Sequence, residues 1–95
     1  MRYVLTPRAL RELSKILAHI HANNRLAAEK YSRLFRKTFG TLAAHPGIGT
    51  KSREPGSLEF AFHRNYRIVY RRVGAGIWIT RVRHVAQLWP PPASG

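Results

Sequence analysis

The hydrophobic period of this chain changes once, and that change limits the folds open to it. Up to about Ala44 the apolar residues recur at helical spacing; from Leu58 onward they alternate. In the first half, Leu10, Leu13, Ile16, Leu17 and Ile20 share one face of a helix running to about His21. Thr6 stands where it can cap that helix, with Pro7 at the first helical position, where a missing N–H costs nothing. Asn23-Asn24 break the helix, and Asn24 can cap a second one over about 25–44. The buried stripe of this second helix reads Ala27, Tyr31, Leu34, Phe35, Thr38 and Leu42, widened by Phe39. Lys30, Arg33 and Lys37 form a basic ridge, and Glu29 is spaced to pair with Arg33 across one turn.

His45-Pro46-Gly47-Ile48-Gly49 ends the helical half, and residues 46–57 read as a loop rich in glycine and proline. Leu58, Phe60 and Phe62 then alternate with Glu59, Ala61 and His63. After a turn at His63-Arg64-Asn65, Tyr66, Ile68 and Tyr70 alternate with Arg67, Val69 and Arg71. Gly74-Ala75-Gly76 turns the chain again. Ile77 and Ile79 share a face, but Val82 is out of phase with them, which predicts a bulge or an early strand end near Arg81. Arg2 to Leu5 make a short strand before the first helix. The order is β-α-α-β-β-β. It predicts an α+β fold, a helical hairpin packed on a small antiparallel sheet that the first strand joins; a parallel place beside the last strand is topologically open to it but is not fixed by the sequence. Residues 1–88 read as one domain and 89–95 as a short proline-rich tail.

Charge sets the second constraint. Seventeen Lys and Arg stand against four Asp and Glu in 95 residues, a net charge of +13, while 44% of the chain is hydrophobic. The apolar content supports a core, so this is not merely a disordered basic tail. The excess charge asks for an acidic partner: nucleic acid, an acidic protein or an anionic membrane surface. There is no cysteine, hence no disulfide and no thiolate metal site or nucleophile. No stretch is apolar enough for a membrane span, so the expectation is a cytoplasmic protein with no membrane partner.

Catalytic signatures are sparse. His19 and His21 lie two residues apart on a helix and point about 200° apart, so they cannot share a metal. Phosphate-cradling glycine loops are absent, and the chain has no aspartate at all. No metal and no cofactor is expected. The main signal is basic: Arg67 and Arg71, four apart, lie on one side of a strand, and Arg81 and Arg83, two apart, share one side of the next. Together they predict a positive surface able to hold phosphates or carboxylates through bidentate guanidinium contacts. Lys51 and Arg53 on the long loop are candidates to border it, as is Trp89 at the C-terminal end to anchor a partner. Glu54 can orient an arginine or act as a base, and His84 can exchange protons near neutral pH.

Several stretches in this order resemble the ParE/RelE superfamily of toxins from bacterial type II toxin–antitoxin systems, its ParE branch above all. They are Leu5-Thr6-Pro7-x-Ala9-x-x-x-Leu13-x-x-Ile16, Ala27-Ala28, Leu42-x-x-His45-Pro46-x-x-Gly49, Tyr66-Arg67-Ile68-Val69-Tyr70-Arg71 and Ile77-x-Ile79-x-Arg81-Val82-x-His84. The resemblance implies a toxin without catalysis of its own that inhibits DNA gyrase and blocks replication. It also implies a cognate acidic antitoxin, ParD-like or similar, that wraps the toxin in a hetero-oligomer. Lys51, Arg53, Arg67, Arg71, Arg81, Arg83 and Trp89 are then the residues expected to meet target or antitoxin. The RelE/YoeB branch implies an alternative, a metal-free, ribosome-dependent mRNA endonuclease. Arg67 would hold the scissile phosphate there, and Glu54 and His84 would move protons, but the tyrosine that follows the terminal histidine in YoeB-like relatives is missing. A non-toxic basic module that binds nucleic acid, DNA included, is the third reading.

Overall fold

The joint between sheet and helices is Thr6. In the computed structural model of the chain, which describes residues 2–63 and 65–84, the Thr6 amide donates to the Ile79 carbonyl at 3.0 Å. Its hydroxyl accepts from the Ala9 amide at 3.2 Å, capping the first helix, and donates to the Thr80 carbonyl at 3.3 Å. The first helix, α1 (Pro7–Asn23), therefore starts at a fixed point on the sheet. That fixes its rotation. Ala9 and Leu13 are buried, with Ile16 and Leu17 half-buried beside them, whereas Leu10, expected on the buried face, is exposed.

Asn24 caps α2 (Arg25–Ala44), its side-chain oxygen accepting from the Ala27 amide at 3.0 Å. Ala28, Phe35, Phe39, Leu42 and Ala43 are the buried positions of α2. Phe39 is thus a full member of the core, and Ala28 rather than Ala27 begins the buried stripe. Glu29 has an arginine one turn away on either side and pairs with Arg25 at 3.7 Å, not with Arg33.

Five strands follow the order β1-β5-β4-β3-β2: β1 (Tyr3–Leu5), β2 (Thr50–Lys51), β3 (Leu58–Phe62), β4 (Tyr66–Val73) and β5 (Gly76–His84). β1 runs parallel to β5, and the other neighbours are antiparallel. This is the expected helical hairpin on a small sheet. The segment expected to be wholly loop differs in detail, since it holds a short 3-10 turn at Pro46–Ile48 and the edge strand β2. The bulge expected near Arg81 is present. Val69 pairs with Arg81 and Tyr70 with Ile79, leaving Thr80 as the extra residue. The added residue restores the phase, so Ile77, Ile79 and Val82 are all buried and β5 continues to His84.

Phe35 centres the core. Its ring lies 4.5 Å from Phe62, 5.5 Å from Tyr66 and 6.0 Å from Phe39, and Phe39 in turn meets Tyr3 at 5.4 Å. A second tie holds the 46–49 segment to β4. The Tyr70 hydroxyl donates to the Pro46 carbonyl at 2.6 Å and accepts from the Gly49 amide at 3.0 Å. An added Cβ at Gly49 would overlap that hydroxyl, so the approach requires glycine. Two of the matched sequence stretches, distant along the chain, thus meet at one phenol. No helix among the described residues is long and apolar enough to cross a membrane. Trp89 and the proline-rich tail lie outside the described residues, as does Arg64 of the expected turn.

Candidate functional site

Strand alternation decides what the sheet offers to a partner. Tyr66, Ile68 and Tyr70 belong to the core under the helices, so Arg67, Val69 and Arg71 lie on the other face of β4. The register carries that face onto β5: Arg67 is opposite Arg83, Val69 opposite Arg81, and Arg71 opposite Trp78. The four arginines predicted to share a surface do share one face, and the bulge at Thr80 is what brings Arg81 and Arg83 into phase with Arg67.

Carboxylates lie among these arginines. Glu59 on β3 pairs with Arg67 at 3.3 Å. Arg81 donates from Nε and Nη2 to the Glu12 carboxylate, the shortest contact being 2.8 Å, and Glu54 stands 3.8 Å from its other terminal nitrogen. Glu54, on the loop after β2, orients an arginine as its sequence reading allows, whereas Glu12 and Glu59 come from α1 and β3 and carry no local signal of these pairings. All four acidic side chains of the chain lie within ion-pair distance of an arginine. Arg71 and Arg83 have no carboxylate partner among the described residues.

Glu12 was not singled out by sequence, yet it organises the edge of β5. β1 ends at Leu5, opposite Ile79, which leaves the second half of β5 with no strand, among the described residues, on the edge away from β4. Glu12 supplies the missing acceptor: its carboxylate takes the Val82 amide at 2.9 Å while also holding Arg81. Burial alone would push this carboxyl up. The Arg81 and Val82 hydrogen bonds, with the charges of Arg81 and Arg8, outweigh it and hold the group below its ordinary value. The Glu12 hydrogen bonds reciprocally hold the Arg81 guanidinium in its charged form against the burial that opposes it. One faint signal existed in sequence, a glutamate one turn after Arg8 in a chain with only four acids.

The remaining candidates divide. The loop bearing Arg53 and Glu54 borders the arginine face: Glu54 reaches Arg81, and a Cβ at Gly56 would come within 3.1 Å of the Arg71 guanidinium. Lys51 pairs with Leu58, whose side chain packs towards the core, so the register sets it on the opposite side of the sheet. His84 pairs with Tyr66, and the two rings lie 5.1 Å apart. His84 therefore stands on the helix-facing side, while Arg67 stands on the other. Burial, with Tyr31 close by, pushes the Tyr66 phenol above its usual range, so Tyr66 is no base near neutral pH. Among the described residues no group of three or more His, Cys, Asp or Glu is placed to hold a metal.

The family model described as the ParE toxin of the type II toxin–antitoxin system, parDE, matches residues 3–89. The chain belongs to the ParE toxin family. Its fold is also that of a solved ParE-system structure, titled the chromosomal ParDE toxin–antitoxin system from P. aeruginosa. The two agree with a TM-score of 0.78 and 25% identity, over 90% of this chain and 96% of that one. No curated protein matches the chain. It is accordingly a toxin component of a ParDE-type system, in which the partner is a cognate antitoxin. For this ParE chain, the Leu5-Thr6-Pro7-x-Ala9 stretch has a structural meaning: it welds α1 to β5. The His45-Pro46-x-x-Gly49 stretch likewise provides the seat of Tyr70.

Proposed function

We propose that this ParE-family toxin arrests growth by inhibiting DNA gyrase, and that it does so by contact rather than by cleaving RNA. One observation carries the choice between the two. A ribosomal nuclease of the RelE/YoeB kind would need Glu54, Arg67 and His84 about one phosphate, but Arg67 and His84 stand on opposite faces of the sheet. Glu54 meets Arg81, and Arg67 meets Glu59, so each is engaged in an ion pair. The ParE branch asks for no such set. It asks for a surface, and the arginine face is the one we assign to target and antitoxin.

That face also suits an acidic antitoxin segment with apolar anchors. Val4 and Trp78 are direct neighbours in the β1–β5 register, both about half exposed, and Arg71 lies across from Trp78 on the other side. A half-exposed tryptophan beside an arginine with no carboxylate partner among the described residues is the composition of a binding hot spot. With all four glutamates already paired internally, the excess positive charge is left for a partner to neutralise.

Replacing Glu54 by alanine separates the readings. The side chain is exposed and its contact with Arg81 is long, so the expected stability change is within about 0.5 kcal/mol. Growth arrest on induction should be unchanged. Loss of arrest in a Glu54→Ala protein that melts like the parent would move the assignment to the nuclease.

A further inference from the structure

A second basic site adjoins the arginine face along the open edge of β5, sharing Arg81 and Arg83 with it and adding Lys15 and His19 from α1. There α1 and the end of β5 enclose a hollow of about 700 Å³. Lys15 and His19 line it from α1, one helical turn apart and so on the same side of the helix. Arg83 and His84 line it from β5, and Tyr66 from β4. The one carboxylate in its wall, Glu12, is already held by Arg81 and the Val82 amide. Lys15 and Arg83 make no ion pair among the described residues. The hollow therefore presents uncompensated cations and ring nitrogens, with its only acid neutralised.

We propose that this groove is a binding site for the phosphates of duplex DNA, read without regard to sequence. Phosphate is the ligand that lysine, arginine and imidazole donors suit together. The duplex form follows from what the groove lacks. Proteins that hold single strands offer exposed aromatic rings on which bases stack. The aromatic here, Tyr66, is buried, with Tyr31, Phe35, Phe62 and His84 within 5.1–6.3 Å of its ring. Tyr66 therefore offers no free ring face to a base, which leaves the cations of the groove to grip a backbone. The site goes beyond gyrase inhibition and does not depend on it, since binding is measured without gyrase.

The test is fluorescence anisotropy of a labelled 20-base-pair duplex against salt, using the whole chain. Removing both groove cations in Lys15→Ala/Arg83→Ala is expected to weaken binding about tenfold or more and to lower the slope of log affinity against log salt by about 2. Lys30→Ala/Lys37→Ala removes equal charge from the exposed ridge of α2 and should leave affinity nearly unchanged. Equal weakening by the two pairs, or no weakening by the first, would overturn the site. Displacement of the duplex by poly-glutamate at equal charge would also overturn it, assigning the groove to an acidic protein segment. Should the groove variant melt early, amide shifts in the parent protein decide: Lys15, His19, Arg83 and His84 should move on adding the duplex. If those amides stay still while the duplex binds, the proposal fails.

Discussion

Phe35→Ala is expected to destabilise the chain by about 3–5 kcal/mol, the range for emptying a buried aromatic site. Phe35 is fully buried and is the one ring that joins α2 to both β3 and β4, through Phe62 and Tyr66. Neither the helix nor the sheet can collapse into the space without losing its other contacts. A domain of this length has roughly 5–14 kcal/mol in total, so the loss is a large share of it. The thermal midpoint should fall by more than about 12 °C, measured by circular dichroism, with urea melts giving the free energy. A fall of only a few degrees would mean that the aromatic cluster is not the centre of the core.

Glu12→Ala is expected to be the most damaging change to a polar side chain, costing about 2–4 kcal/mol. It leaves the Arg81 guanidinium partly buried without its main partner and the Val82 amide without an acceptor, on a strand edge that no other strand of the described residues pairs with. Glu12→Gln keeps an oxygen that one of the two donors can use, so its cost should be smaller. The same pair predicts acid sensitivity, and its sign follows from linkage. The folded carboxyl holds its proton less tightly than the unfolded one, so the unfolded chain binds more protons as pH falls. The stabilisation is present above the ordinary carboxylate value of 4.5 and is lost as pH drops through the depressed folded value. Melts across that range should show an acid limb that shrinks in Glu12→Gln. An identical limb in both proteins would remove Glu12 from the account.

Local signals carried most of the fold. Thr6-Pro7 and Asn24 mark helix starts because a cap is a matter of a few neighbouring residues, and both caps are present. The phase error at Val82 was visible because alternation is strictly of period two, and it located the bulge. What periodicity could not supply was rotation: Leu10 fits the apolar stripe as well as Ala9 does, and only the attachment of Thr6 to β5 decides between them. The edge strand β2 is two residues long, too short to leave a pattern.

The site was legible in part for a related reason. That Arg67, Arg71, Arg81 and Arg83 share a face follows from alternation plus one bulge. That Arg67 and Arg81 are paired does not, because their carboxylates lie on elements up to 69 residues away in sequence. The separation of Arg67 from His84 was equally hidden. It depends on a register that sets Arg83, not His84, across from Arg67. Lys51 was placed with the arginines by loop proximity alone, and the pairing of β2 with β3 sets it on the other side.

The central claim is that this toxin acts on gyrase through its surface. The most direct measurement adds the purified chain to gyrase, relaxed plasmid and ATP, and follows supercoiling and the accumulation of cleaved DNA. Inhibited supercoiling, or trapped cleaved plasmid, is the expected result. Unimpaired supercoiling at micromolar toxin, with mRNA cut on ribosomes by the same preparation, would contradict it.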